Sequence, residues 1–97
     1  MKETGIRPTV LAQIQEIARQ YGTAKVILFG SRARGDFQAK SDIDLAVQGG
    51  NVAGFALDVD ELTDTLLRYD IIDLNAPLSD AFAKEIERDG LILYEKI

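Results

Sequence analysis

The stretch GSRARGDFQAKSDIDLAV, residues 30–47, decides both the fold and the chemistry of this chain of 97 residues. Just before it, the run AKVILFG is apolar, rich in β-branched residues and closed by glycine, which predicts a buried strand that turns into a short helix. At its other end, the run DIDLAV alternates apolar residues with acidic or small ones, which predicts a second strand. Because side chains two apart on a strand leave the same face, Asp42 and Asp44 are expected to lie side by side.

Periodic patterns on both sides of this stretch predict the remaining elements. Apolar residues at helical spacing predict one helix from Pro8 to Gln20 and a second long helix over 52–68. The run YDIIDLN predicts a third strand, Ser79 and Gly90 bound a last helix, and LILY predicts a last short strand. The order predicts a single α/β (α+β) domain over residues 1–97, with a small mixed sheet flanked by helices.

Composition excludes several classes of site and partner. The chain has no cysteine and no histidine, so disulfides, thiolate catalysis and zinc sites built on those residues are excluded, and any metal must be held by oxygen. A net charge of −5 opposes affinity for a nucleic-acid backbone, so we expect no stable DNA or RNA binding. No apolar run approaches the roughly 20 residues that span a bilayer, and we expect a cytoplasmic protein without membrane contact.

The paired aspartates indicate a divalent cation. Two carboxylates about 4 Å apart repel each other by about 4 kcal/mol at an effective dielectric constant near 20. A cation bound by both converts this repulsion into attraction, and oxygen-only ligands select magnesium or manganese. Gly30 and Ser31, at the junction of strand and helix, offer backbone N–H groups and a hydroxyl to phosphate oxygens. Together these parts predict metal-assisted phosphoryl or nucleotidyl transfer.

The spacing of these residues resembles a known signature. Gly30 and Ser31, followed after ten residues by Asp42-Ile43-Asp44, are similar to the GS…DxD motif of the nucleotidyltransferase superfamily that includes DNA polymerase beta. The fuller pattern FGSRARG…SDIDLAV resembles the minimal nucleotidyltransferase branch, the MntA-like antitoxins, along nearly the whole chain. The resemblance implies the nucleotidyltransferase fold, a nucleoside triphosphate as donor and Mg²⁺, with two ions expected, held by three acids.

The resemblance also implies roles for individual residues. Asp42 and Asp44 match the first two acids of the family, which are catalytic and bind the metal. Two residues compete for the third, which helps to activate the attacking hydroxyl: Asp70 best matches the family position, and Asp73 is the alternative. The phosphates of the donor, by resemblance ATP, are expected to contact Gly30, Ser31, Arg32 and Arg34.

Members of this branch suggest a partner as well. Many of them are encoded beside a HEPN-type toxin, and the implied reaction places AMP from ATP on a tyrosine of that toxin. The alternative is a binding module that neutralises its partner by complex formation alone. Transfer to a small molecule is disfavoured, because 97 residues are expected to leave no room for a substrate domain. Phe55 or Leu57 on the second long helix are candidates for the partner contact.

Overall fold

The computed structural model describes residues 3–96, which form alternating helices and strands. Within that range, no helix is both long enough and apolar enough to cross a bilayer. The order of elements agrees with the order predicted from the sequence. In chain order, the elements are α1 (Pro8–Gln20), β1 (Lys25–Phe29), α2 (Gly30–Arg34), β2 (Ile43–Gln48), α3 (Val52–Leu62), β3 (Tyr69–Asp73), α4 (Asp80–Asp89) and β4 (Leu91–Glu95).

The four strands form one mixed sheet, which confirms the predicted fold class. Their order across the sheet is β3-β2-β1-β4, with β1 antiparallel to β2 and β4, and β2 parallel to β3. Because β1 runs against its neighbour, its last residue lies at the same edge of the sheet as the first residues of β2 and β3. We call this edge, marked by Phe29, Ile43 and Tyr69, the site edge.

The two faces of the sheet are covered differently. One face carries Val26, Leu28 and Leu45, which are fully buried in the core together with Ile14 of α1 and Phe55 of α3. Hydrophobic burial of this layer holds the sheet and the two long helices together. The opposite face is covered in part by α4, whose Phe82 ring packs edge-on against Phe29, with 6.3 Å between ring centroids.

Helix α3 is shorter than predicted. The apolar spacing predicted a helix over 52–68, but α3 ends at Leu62 because Thr63 adopts an extended backbone with φ −87° and ψ 148°. The Thr63 hydroxyl donates a hydrogen bond to the carbonyl oxygen of Val59 at 2.6 Å. This bond satisfies one of the carbonyl groups that have no backbone partner at the end of the helix. The Leu66 side chain, which continued the helical pattern, therefore lies in the connection between α3 and β3.

The two candidate partner contacts on α3 have different surroundings. Phe55 is fully buried in the core, so the expectation that it contacts a partner was wrong. Its position on the helix turns it toward α1 and the sheet, where an aromatic ring contributes most to stability. Leu57 keeps 59% of its surface exposed and stays available for contact.

These two residues provide a matched test of the core. We expect Phe55→Ala to lower the free energy of unfolding by about 3–5 kcal/mol, because it removes a fully buried ring and leaves a cavity. The control Leu57→Ala should change it by no more than about 0.5 kcal/mol. Urea denaturation followed by circular dichroism measures both values, and equal losses would contradict the described core.

Candidate active site

Gly30 and Asp44 approach each other closely at the site edge. Gly30 follows the last residue of β1, and Phe29 pairs with Asp44 across the β1–β2 ladder. The backbone of Gly30 has a φ of +73°, which strongly favours glycine. A Cβ atom at this position would also overlap Oδ2 of Asp44. Glycine is therefore required twice, once for the backbone conformation and once for the space that the carboxylate occupies.

The register of β2 and β3 brings a second acid beside Asp44. Asp44 and Asp70 are paired in the parallel ladder, and strands of a sheet lie about 4.8 Å apart. Paired residues of parallel strands project from the same face. Asp42 lies two residues before Asp44, immediately before β2, and is exposed. The site edge therefore carries Asp42, Asp44 and Asp70, and Asp70 is the one of the two candidates for the third acid that lies there.

Asp73 occupies a different position. It pairs with Val47, three residues further along β3 than Asp70, so its side chain leaves the opposite face. Its Oδ1 accepts a hydrogen bond from the backbone N–H of Asn75 at 2.8 Å. This contact belongs to the turn that follows β3, at the far end of the strand.

The clustering of acids changes the ionisation of Asp44. The pKa of Asp44 is raised to about 6. Burial makes the largest contribution, and the negative charges of Asp70 and Asp42 act in the same direction. Glu85 of α4 adds a further, smaller increase, and the charge of Arg34 lowers the pKa in part. A half-buried carboxylate whose neighbours are also acidic is poorly stabilised in its charged form by the protein alone.

The donor chemistry of the cluster fits a divalent cation. Carboxylate oxygens are the ligands that magnesium prefers. Besides burial, the negative charges of Asp70 and Asp42 raise the pKa of Asp44, and a bound cation would offset those charges. As the side chains stand within residues 3–96, no three acidic side chains converge on one point closely enough to hold a metal ion. The acidic residues at the site edge therefore fit a divalent cation in the type of ligand atom and in the sign of their charge, and a metal would have to draw their side chains together.

Ser31 opens the short helix that starts at the site edge. Its carbonyl oxygen accepts hydrogen bonds from the backbone N–H groups of Gly35, at 2.9 Å, and Asp36, at 3.2 Å. Gly35 has a φ of +93° and ends the helix as predicted. The side chain of Ser31 is half-buried and follows directly on the glycine beside Asp44.

Arg32 has a different role from the one expected. It was predicted to contact phosphate, but only 1% of its surface is exposed. Its Nε donates to the carbonyl oxygen of Ser41 at 3.0 Å, its Nη1 to that of Thr4 at 3.0 Å, and its Nη2 to that of Ala39 at 3.2 Å. The guanidinium also stacks on the Phe37 ring, 4.8 Å from its centroid. Arg32 thus fixes the loop that leads to Asp42 and is not available to a ligand.

Arg34 faces outward and is surrounded by acids. Its Nε lies 3.3 Å from Oδ2 of Asp36, and its Nη1 lies 3.4 Å from Glu85 and 3.9 Å from Asp89 on α4. These carboxylates, led by the hydrogen bond to Asp36, raise the pKa of Arg34. The positive charge of Arg34 also lowers the pKa of Asp44 in part, which shows that it acts on the site. Arg34 remains a candidate for phosphate contact, but it would have to give up its ion pairs with these acids to bind a phosphate.

Sequence reasoning missed some of these contacts for different reasons. Residues two apart on a helix point in nearly opposite directions, about 200° apart, so only one of Arg32 and Arg34 could face the site. That signal was present in the sequence. Glu85 and Asp89 approach Arg34 from a helix more than fifty positions away in the chain, and no local pattern predicts such a contact.

Comparison with known proteins places the chain among nucleotidyltransferases. Residues 12–97 match the model of the family described as Polymerase beta, Nucleotidyltransferase. A curated protein of Methanocaldococcus jannaschii, named "Putative protein adenylyltransferase MJ0604", is 33% identical over an alignment of 79 residues, and the match covers 72% of this chain and 77% of that protein.

Two solved structures share the fold. A toxin-antitoxin crystallised with AMP-PNP matches with a TM-score of 0.71 and 22% identity, over 89% of this chain and 73% of its own. A mutant of the toxin-antitoxin MntA-HpeT matches with a TM-score of 0.70 and 20% identity, over 89% of this chain and 73% of its own. At these identities the two structures show that the architecture is the same.

The raised pKa of Asp44 predicts that replacing this carboxylate by a neutral side chain stabilises the folded protein, and that the gain depends on pH. Since folding raises this pKa, the stability that Asp44 contributes is present below its ordinary pKa and is lost as the pH rises through about 6. At neutral pH we expect Asp44→Asn to raise the free energy of unfolding by about 1 kcal/mol, discounted because the carboxylate is partly accessible. Urea denaturation over the acid-to-neutral range measures the difference. A difference that does not shrink toward pH 4, roughly the ordinary pKa of aspartate, would contradict the described environment.

The buried position of Arg32 predicts that lysine cannot replace it. Arg32→Lys leaves carbonyl oxygens of the 36–42 loop without a donor, and we expect it to lower the free energy of unfolding by about 2–3 kcal/mol. Amide hydrogen exchange should become faster in that loop. The control Arg34→Lys alters exposed ion pairs and should cost about 1 kcal/mol or less. Equal effects of the two substitutions would contradict the assignment of Arg32 to the loop.

Proposed function

Because this chain belongs to the polymerase beta-type nucleotidyltransferase family, we propose that it transfers AMP from ATP to a hydroxyl group of a partner protein. One observation carries the proposal: the paired register of Asp44 with Asp70, beside the Gly30–Ser31 junction, gathers acids and a candidate phosphate-binding turn at one sheet edge. Transfer of a nucleotide needs both parts together, because negative charge must be neutralised where the triphosphate is held.

Each residue has a role in the proposed reaction. Asp42, Asp44 and Asp70 would hold magnesium, with two ions expected, and Gly30 and Ser31 would hold phosphate oxygens of ATP. When bound, the metal supplies positive charge that offsets the charge developing on the phosphates. Arg34 would join the phosphates by exchanging its ion pairs with α4. Arg32 contributes only indirectly, by holding the loop that carries Asp42.

The reaction transfers one group and one proton. The oxygen of the acceptor hydroxyl attacks the α-phosphorus of ATP, an oxygen–phosphorus bond forms, and the bond to the β-phosphate oxygen breaks. Pyrophosphate leaves with the bonding electron pair. In this proposal Asp70 accepts the proton of the hydroxyl, and its position on the same face of the sheet as Asp44 supports that role.

The acceptor and partner are proposed from the comparisons. The curated relative is named a protein adenylyltransferase, and both solved structures are described as toxin-antitoxin structures, one with AMP-PNP. We extend this to a HEPN-type toxin as substrate and complex partner, and to a tyrosine as acceptor. In this proposal residues 1–97 act as one catalytic domain in the cytoplasm.

Adenylylation of the partner protein is the first prediction of this proposal. The chain is incubated with magnesium, radiolabelled ATP and a HEPN-type protein encoded beside it, and the label and mass of that protein are followed. We expect a gain of one or more AMP units per partner molecule. Asp44→Asn should reduce the rate by at least about 100-fold, because it removes charge stabilisation at the centre of the site.

The third acid is resolved in the same assay. Asp70→Asn should reduce transfer as strongly as Asp44→Asn, whereas the matched control Asp73→Asn should retain it. Loss of activity only in Asp73→Asn would overturn the assignment of Asp70. A tight complex without any mass gain would overturn the transferase proposal and favour neutralisation by binding alone.

A further inference from the structure

The side chain of Leu66 projects fully into solvent from the segment that connects α3 and β3, and the backbone of this segment is hydrogen-bonded. The side chain is 103% exposed relative to its reference state, in the segment between α3 and β3. The backbone on both sides of it is fixed: the N–H of Leu67 donates to Oγ1 of Thr65 at 3.1 Å, and the N–H of Asp64 donates to Oε1 of Gln13 at 2.8 Å. An apolar side chain held outward by its neighbours contributes nothing to the core and is available for contact.

Leu66 forms a ridge between two clefts, one of which reaches the acidic cluster. A cleft of about 480 Å³ is lined by Lys40, Asp42, Leu66, Leu67 and Arg68. On the other side of the ridge, a cleft of about 490 Å³ is lined by Arg7, Thr63, Asp64, Thr65 and Leu66. A chain segment seated over Leu66 and in the first cleft would therefore lie against Asp42, and its neighbouring residues would lie near the site edge.

The lining of the first cleft includes two cations, Lys40 and Arg68, and one carboxylate, that of Asp42. Within residues 3–96, neither Lys40 nor Arg68 has a carboxylate at ion-pair distance, whereas Arg34 and Arg88 near α4 are both paired. Two unpaired cations on a chain of net charge −5 are complementary to acidic side chains on a partner. Their combination with exposed Leu66 and partly buried Leu67 favours an occupant that is both apolar and acidic.

From this geometry we infer that Leu66, Lys40 and Arg68 dock the acceptor segment of the protein substrate, and that this segment has acidic and apolar residues beside its acceptor hydroxyl. The inference rests on the proposed function, because it supplies the substrate side of the same site. The exposed side chain of Leu66 suits an occupant of protein size, because a small molecule enclosed in the first cleft would leave most of that side chain uncovered. The triphosphate is assigned to the other part of the site edge, at Gly30 and Ser31.

A binding selection tests this inference without requiring catalysis. The immobilised chain is offered short synthetic peptides with a central tyrosine and random flanking residues, and the bound peptides are sequenced. We expect enrichment of Asp or Glu together with Leu, Ile or Phe beside the tyrosine. Leu66→Asp should remove the apolar enrichment and weaken binding of a selected peptide about tenfold, as measured by fluorescence anisotropy.

Matched controls separate this surface from general effects. Leu57→Asp introduces the same change at another exposed leucine, which is 59% exposed and lines neither cleft. It should leave the selection of these short peptides unchanged, because any contact of Leu57 with the partner would lie outside the acceptor segment. Lys40→Glu should abolish the preference for acidic residues, whereas Lys84→Glu on α4 should preserve it. A selection without acidic or apolar preference, or equal effects of Leu66→Asp and Leu57→Asp, would overturn the docking assignment.

The outcomes also distinguish docking from the proposed activity. Selection of acidic and apolar peptides by a chain that never transfers AMP would retain the docking surface and remove the transferase proposal. Transfer of AMP to peptides regardless of their flanking residues would retain the transferase proposal and remove the docking surface. If Lys40→Glu instead raises the KM for ATP about tenfold and leaves the selection unchanged, the cation serves the nucleotide and the docking assignment fails.

Discussion

The carboxylate of Asp44 occupies the space that any side chain at position 30 would need. This single close approach ties the end of β1 to the start of β2 and sets how near the acidic cluster can come to the turn at Ser31. A second register, that of the parallel pair β2 and β3, places Asp70 beside the same aspartate. The geometry of the site thus follows from strand pairing and one missing Cβ atom, with no unusual backbone elsewhere in the cluster required.

The site is electrostatically unfavourable for the protein on its own. Asp44 is half-buried among other acids, and the one nearby exposed arginine that moderates its charge, Arg34, is shared with Asp36, Glu85 and Asp89. Folding overcomes this cost with the apolar layer on the opposite face of the sheet, where the strands pack against α1 and α3. Such a division is typical of functional sites, whose residues are arranged for a ligand and not for stability.

Much of the fold was accessible from the sequence, because its elements are short and strongly periodic. The strands, the cap at Ser79 and the turn at Gly35 follow local rules that the structure obeys. What local rules could not supply were facts about distant partners. The spacing that carried the predicted helix on to Leu66 could not reveal that Thr63 ends it, and an arginine in a polar motif gave no indication that backbone oxygens would bury it. The pairing of Asp44 with Asp70 likewise required the strand order.

All hydrogen bonds that Arg32 donates go to main-chain oxygen atoms, those of Gln38, Ala39 and Ser41 in the loop and that of Thr4, and Phe37 is the loop side chain on which it stacks. Every residue type provides such an oxygen, so substitutions within the loop leave these acceptors in place. Loop side chains that make no contact with Arg32, Lys40 among them, can therefore be substituted without removing an acceptor of that arginine. A scaffold of this kind lets residues at the rim of the site edge change by point mutation while the position of the acidic residues is retained.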